Sequence, residues 1–165
     1  MFQVKDIVVH PVAGICRIKD IRTEKFGDRP LLYYVMTPLD SNGRNLIFTP
    51  VEESRIRLRR PLTKEEIETI LRQVLTAEIE WPEDEKERSA QLSLLLRTGD
   101  QVRIVKMIAQ LHHLKETRIK QRKKLNATEE RLLQEAQNMI HGEFSFALGL
   151  DEDETIRHIM EKLAM

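Results

Sequence analysis

Residues 1–14 read Met1-Phe2-Gln3-Val4-Lys5-Asp6-Ile7-Val8-Val9-His10-Pro11-Val12-Ala13-Gly14, and this stretch decides the fold. Phe2, Val4, Ile7 and Val9 mark a short apolar strand. Pro11 and Gly14 end it in a tight turn, since proline presets φ and glycine accepts positive values. A second strand over residues 15–21 follows at once. A hairpin with so little connecting chain opens a small, strongly bent β-unit, an architecture that binds partners more often than it does chemistry.

Outward from the hairpin, the apolar period stays at two as far as about residue 60. Ile15, Ile18 and Ile21 mark the second strand, and Phe26-Gly27-Asp28-Arg29-Pro30 is a turn. A third strand over residues 31–36, rich in Tyr and Val, is ended by Pro38. Asp40-Ser41-Asn42-Gly43 is a hairpin turn, because Asn and Gly tolerate the φ it needs. Leu46-Ile47-Phe48 is a fourth strand stopped by Pro50, and Ile56 and Leu58 give a short fifth. Five short strands predict an SH3- or Tudor-like barrel over residues 1–60, whose closure removes exposed edges.

Pro61 marks the boundary, and residues 61–165 predict an all-α domain of about five helices. The fold class is therefore α+β. Thr63-Lys64-Glu65-Glu66 is a capping box, followed by an apolar stripe of Ile67, Ile70, Leu71, Val74 and Leu75 at helical spacing. After Trp81-Pro82, the acidic Glu83-Asp84-Glu85 suits a helix N-terminus, and that second helix ends at Thr98-Gly99. Asp100 caps a third and longest helix, with Val102, Val105, Ile108, Ala109 and Leu111 inward. Asn126 with Glu129 caps a fourth, which Gly142 bends or ends. Gly149 breaks the chain, and residues 155–163 form a fifth.

A length of 165 residues suits two small domains. No apolar run approaches the roughly 20 residues of a membrane span, and no signal peptide is visible. The single cysteine, Cys16, excludes an internal disulfide and fits a reducing, cytoplasmic setting. In a strand it reads as a buried, inert thiol. Formal net charge is zero, but the charges are segregated. Residues 101–125 hold 8 Lys+Arg against 1 Asp+Glu, whereas residues 126–165 hold 3 against 9. Local charge sets the local field, so the run from Lys115 to Lys124 can hold phosphates or serve only as a solvated helix end.

Catalytic constellations are missing. His112-His113 is the one tempting metal pair, but adjacent helical residues point about 100° apart and cannot share an ion. There is no Gly-rich phosphate loop and no Gly-x-Ser-x-Gly. The chain reads as non-enzymatic, without metal or cofactor. Trp81 stands between two helices, and Pro82 restricts it to extended backbone. Spacing alone leaves two roles open: a core plug, or an exposed ring that wedges against a base step in an opened minor groove.

The run from Phe2 to Gly14 resembles the opening of the CarD/CdnL family of bacterial transcription regulators, a module shared with transcription-repair coupling factor. The likeness continues through Tyr33-Tyr34-Val35, Leu46-Ile47-Phe48-Thr49-Pro50, Trp81, Thr98-Gly99-Asp100, Leu125-Asn126-Ala127-Thr128-Glu129 and Ile140-His141-Gly142-Glu143. The resemblance implies a Tudor-like domain that docks on the β-subunit lobe of bacterial RNA polymerase. It also implies a helical domain that reaches promoter DNA at the upstream edge of the bubble, where the tryptophan props open the minor groove and stabilises the open complex. On this reading Trp81 is the wedge, and Glu24, Leu46, Phe48 and Pro50 are the polymerase-docking candidates. Charge, and no matched motif, adds Lys86, Arg88, Lys106, Arg118, Lys120, Arg122, Lys123 and Lys124 as phosphate contacts. Few phosphates can be neutralised at once, so a shallow salt dependence is expected.

The chain departs from the family pattern after Trp81, where Pro82-Glu83-Asp84-Glu85 replaces basic residues and only Lys86 and Arg88 are cationic. Carboxylates beside phosphates repel at short range. That leaves a protein–protein adaptor, using the barrel without DNA contact, as the alternative. A small RNA- or ribosome-binding barrel protein is a third reading. The expected protein is a monomer without membrane contact, cytoplasmic and nucleoid-associated through polymerase.

Overall fold

Among the described residues, four antiparallel strands and five α-helices make up an α+β fold. The structure, a computed structural model, describes residues 1–52 and 57–163. The chain divides into two units, Met1–Leu62 and a second that starts at Thr63.

In the first unit, β1 (Ile7–His10), β2 (Gly14–Glu24), β3 (Leu31–Pro38) and β4 (Ile47–Pro50) pair in sequence order. Each strand is antiparallel to the next, as short hairpin connections require. Val8, Cys16, Ile18, Tyr34 and Met36 form the buried core, with Phe2, Ala13, Ile21, Ile47, Val51 and Leu58 packed around it. Ile18 and Ile21 are three apart in a strand of period two, yet both face this core. A register shift between Ile18 and Asp20 absorbs the extra residue, which is what a β-bulge does.

Two expectations for this unit change. Phe2, Val4, Ile7 and Val9 do not form one strand: Phe2 and Val4 precede it, Val4 is 47% exposed, and Val8 is its fully buried residue. A turn causes this. Lys5 has φ 78°, the Asp6 carboxylate accepts the Gln3 amide at 2.8 Å, and the strand starts only at Ile7. Phe2 is held elsewhere, with its ring edge-on to Tyr34 and its amide donating to the Tyr34 hydroxyl at 3.0 Å. The expected five-stranded barrel is, among the described residues, a four-stranded sheet. Past β4 the chain returns to the free edge of β1 through one bridge, Val9 with Arg59. Ile56, half of the expected fifth strand, lies outside the described residues; Pro61, two residues past the bridge, has no amide with which to extend it.

In the second unit, α1 (Lys64–Thr76), α2 (Glu85–Thr98), α3 (Gln101–Lys120), α4 (Ala127–Leu148) and α5 (Glu152–Leu163) follow. Central α3 touches the other four helices, and Ile104, Val105, Met107, Ile108, Ala109 and Leu111 are buried along it. Val102, expected inward, is only half-buried. Ile67, Leu71 and Val74 of α1 are buried, as are Leu132, Leu133, Ala136, Ile140 and Phe144 of α4 and Ile159 and Leu163 of α5. Each of these side chains larger than alanine contributes about 1.5–3 kcal/mol on leaving water.

Both capping boxes form, at Thr63/Glu66 and Asn126/Glu129. Gly99 and Gly149, each at φ 68°, end α2 and α4 in the left-handed conformation that glycine adopts without a Cβ clash. Gly142 does not end α4, which runs on to Leu148 because Ile140 and Phe144 bury either side of it. The last helix starts earlier than residue 155, at Glu152. There Asp151 and Glu154 exchange backbone-to-carboxylate bonds at 2.8 and 3.2 Å. Cys16 is fully buried, and burial together with the nearby Asp40 charge pushes its thiol up to about 11, so it stays protonated and unreactive.

Candidate functional site

The sheet unit offers one candidate surface. Arg22 pairs across from Tyr33, Tyr33 from Pro50 and Val35 from Phe48. Alternation therefore brings Arg22, Glu24, Tyr33, Phe48 and Pro50 to the face opposite the core. The Phe26 ring stands edge-on to Tyr33 and Phe48 at 5.1 and 5.0 Å, and the Arg22 guanidinium lies 5.5 Å from the Phe48 centroid. The Glu24 carboxylate accepts from Arg22 Nε at 2.9 Å. Leu46 sits just before β4 and is 50% exposed. Of the four docking candidates, the sheet thus gathers three, and Leu46 borders them. Phe26, at 61% exposure, is the most solvent-facing ring of this face. It lies in a turn, where period-two reading carries no signal, so neither it nor Arg22, which stacks on Phe48, stands out in the sequence.

The helical unit offers the other. Trp81 is half-buried at the corner between α1 and α2. With Leu75, Ile79, Lys106, His113 and Thr117 it lines a groove of about 870 Å³. The ring is therefore neither a sealed core plug nor fully free. The Arg88 guanidinium stacks on it, 5.2 Å from the ring centroid. Arg88 is itself buried; it donates to the carbonyls of Pro82 and Glu83 at 3.2 and 3.4 Å and pairs with Glu129 at 3.3 Å. Glu129 also receives Arg118, which reaches on to Glu85 at 3.3 Å.

Glu129 is the hub that links α2, α3 and α4. Its carboxylate closes the N-terminal box of α4, accepting the Asn126 amide at 2.9 Å. Burial pushes this carboxyl up, but bonds from Arg118, the Asn126 amide and Arg88 outweigh that and hold it below the usual carboxylate value. Removing either partner of a buried pair strands a charge, at a cost of about 3–5 kcal/mol. The sequence signalled Glu129 only as a helix cap, because its cationic partners lie 11 and 41 residues away.

The proposed phosphate contacts divide accordingly. The charges of Arg88 and Arg118 are already engaged inside the unit. Lys106 donates to the Val74 carbonyl at the end of α1 at 3.3 Å, beside Trp81 in the groove. Lys86 is exposed in the first turn of α2. Lys120, Arg122, Lys123 and Lys124 are exposed at the end of α3, without ion pairs among the described residues. Arg122, at φ 60°, turns the chain there: its amide bonds the Ile119 carbonyl at 2.9 Å and the Lys123 amide bonds that of Arg118 at 2.7 Å. Because Arg118 bridges to the first turns of α2 and α4, this basic end and the Trp81 corner share one end of the helical unit. The acidic stretch is partly neutralised: Asp84 accepts the Glu87 amide at 3.0 Å and Glu85 pairs with Arg118. Among the described residues no three His, Cys, Asp or Glu side chains gather as a metal site, and no helix is long and apolar enough to cross a membrane.

A small antiparallel sheet unit with an aromatic outer face, followed by a five-helix unit with a stacked tryptophan at a basic end, defines a two-domain binding protein. Residues 2–62 match the CarD-like/TRCF RID domain and residues 66–160 match the CarD C-terminal domain. The chain belongs to the CarD family, and it is an RNA polymerase-interacting transcription regulator. The family's domains are regulatory and interaction domains, not catalytic ones. No curated protein matches the chain.

Proposed function

We propose that this protein docks on the β-subunit lobe of bacterial RNA polymerase through its sheet unit and stabilises the promoter open complex through its helical unit. It acts as a monomer in the cytoplasm, on the nucleoid through polymerase. The docking face centres on Glu24, Leu46, Phe48 and Pro50, with Phe26 and Tyr33 extending it. An aromatic cluster with Phe26 exposed over Phe48 and the buried Tyr33, rimmed by an Arg–Glu pair, has the make-up of an interaction surface. Trp81 enters the opened minor groove at the upstream edge of the bubble, and Lys86, Lys120, Arg122, Lys123 and Lys124 hold backbone phosphates.

The observation that carries the DNA step is the shared location of Trp81 and the exposed cations at and just past the end of α3, which have no ion pair among the described residues. The pairing of Glu85 with Arg118 further supports it, since that pairing softens the repulsion expected from the acidic stretch. Exposed Glu83 and Asp84 favour a second reading, an adaptor that binds polymerase without touching DNA.

Two substitutions separate these readings. Phe48→Glu should abolish binding to the isolated β lobe. Trp81→Ala should leave that binding intact while shortening open-complex lifetime by about tenfold, the scale of one lost stacking contact. An unchanged lifetime with Trp81→Ala selects the adaptor, and lobe binding that survives Phe48→Glu removes the docking face.

A further inference from the structure

We propose that Glu129, through Arg88, is the positioning residue that sets the pose of Trp81; this rests on the proposed wedge role of that ring. Three fixed relationships carry it. Arg88 stacks 5.2 Å from the Trp81 centroid. The same guanidinium donates to the carbonyls of Pro82 and Glu83, the two residues that follow the ring. Its other terminal nitrogen, Nη2, is held by Glu129, which is 2% exposed.

A planar fork can satisfy a carboxylate, two carbonyls and a ring face together, which a lysine ammonium cannot. Glu129 in turn is fixed twice over, by the Asn126 amide in the α4 cap and by Arg118. The orientation of Trp81 is thus set from the first turn of α4, 48 residues away in sequence. Preorganisation of this kind spares a mobile aromatic its ordering entropy on binding.

The chain's single tryptophan gives a direct readout in the free protein. Arg88→Lys keeps the charge and the pairing with Glu129 but loses the fork; Glu129→Gln removes the anchor. In full-length protein whose helix content matches the parent, both should shift Trp81 emission to longer wavelength and raise its collisional quenching. On polymerase both should shorten open-complex lifetime toward that of Trp81→Ala, and combining Arg88→Lys with Trp81→Ala should shorten it no further. Unchanged emission and quenching in folded Arg88→Lys protein overturns the proposal, as does a further loss in the combined variant. If Trp81→Ala leaves the lifetime unchanged while Arg88→Lys still alters quenching, the wedge role fails and the positioning role stands.

Discussion

The Nδ1 atom of His10 accepts the Ala13 amide at 3.0 Å. It takes the Val12 amide as well, at 3.1 Å, so the ring is neutral with its proton on Nε2, and it closes the first hairpin. The ring is buried, and burial pulls its pKa below the ordinary value. A base that stays neutral in the fold gives stability that is complete above the unfolded-state pKa of about 6.5. That stability drains as the pH falls from there toward the lowered folded value, since only the unfolded chain then takes up the proton. Between about pH 7.5 and 5.5 the hairpin should lose stability, by at most about 1.4 kcal/mol, the most that protonation of an unfolded histidine contributes over that range. Hydrogen exchange at the Val12 and Ala13 amides reads this, after correction for intrinsic rates. An asparagine side chain does not titrate, so His10→Asn should flatten the response. Equal protection at both pH values would exclude a titrating His10.

Phe26 supplies the second prediction. Its ring meets Tyr33 and Phe48 but is 61% exposed, so Phe26→Ala should change unfolding free energy by less than about 1 kcal/mol. An exposed aromatic packed on the proposed docking face is a frequent hot spot, and truncating one weakens binding by about tenfold or more. Titration against the isolated β lobe, beside a thermal melt, separates the two effects. A variant that binds as the parent does would move the docking face away from this cluster.

What was legible in the sequence follows from range. Thr63/Glu66, Asn126/Glu129, Gly99 and Gly149 act within one turn of chain, and each ends or starts a helix where local chemistry says it should. The bulge at Lys19 is present as the Ile18–Ile21 spacing, although without the register that spacing reads as plain alternation. Gly142 misleads because its intrinsic cost of about 1 kcal/mol is offset by the burial of Ile140 and Phe144, which only packing reveals. The candidate site was legible as residue types but not as partnerships. Arg88 and Arg118 look like phosphate ligands until Glu129 arrives from 41 and 11 residues away, and no periodicity records that meeting.

Arg122 gives the third prediction. It holds a left-handed φ of 60° at the position after α3 where glycine is favoured, and both of the carbonyl bonds that define this helix ending are made. A residue with a Cβ is strained there by about 1 kcal/mol or somewhat more. Arg122→Gly should therefore raise stability by about 1 kcal/mol and the melting temperature by about 3 °C. The same substitution removes a cation, so DNA affinity should fall as stability rises. A variant that is both less stable and unchanged in DNA affinity would contradict the assigned geometry and the assigned role together.

The salt dependence of DNA binding tests how the cations are divided. If Lys86, Lys120, Arg122, Lys123 and Lys124 each meet one phosphate, log K should fall against log salt with a slope near −4.5, about −0.9 per contact. Lys123→Gln should then flatten the slope by about 0.9, with little change in stability because its side chain is exposed. Arg118→Gln makes the opposite prediction. Its charge is already matched by Glu129 and Glu85, so few counterions are released at that position. Its loss should leave the slope unchanged while lowering the melting temperature of the helical unit, because the shared carboxylate loses a buried partner. Equal slope changes for the two variants would mean that Arg118 leaves its internal pairs when DNA binds, and that the network around Glu129 opens in the complex.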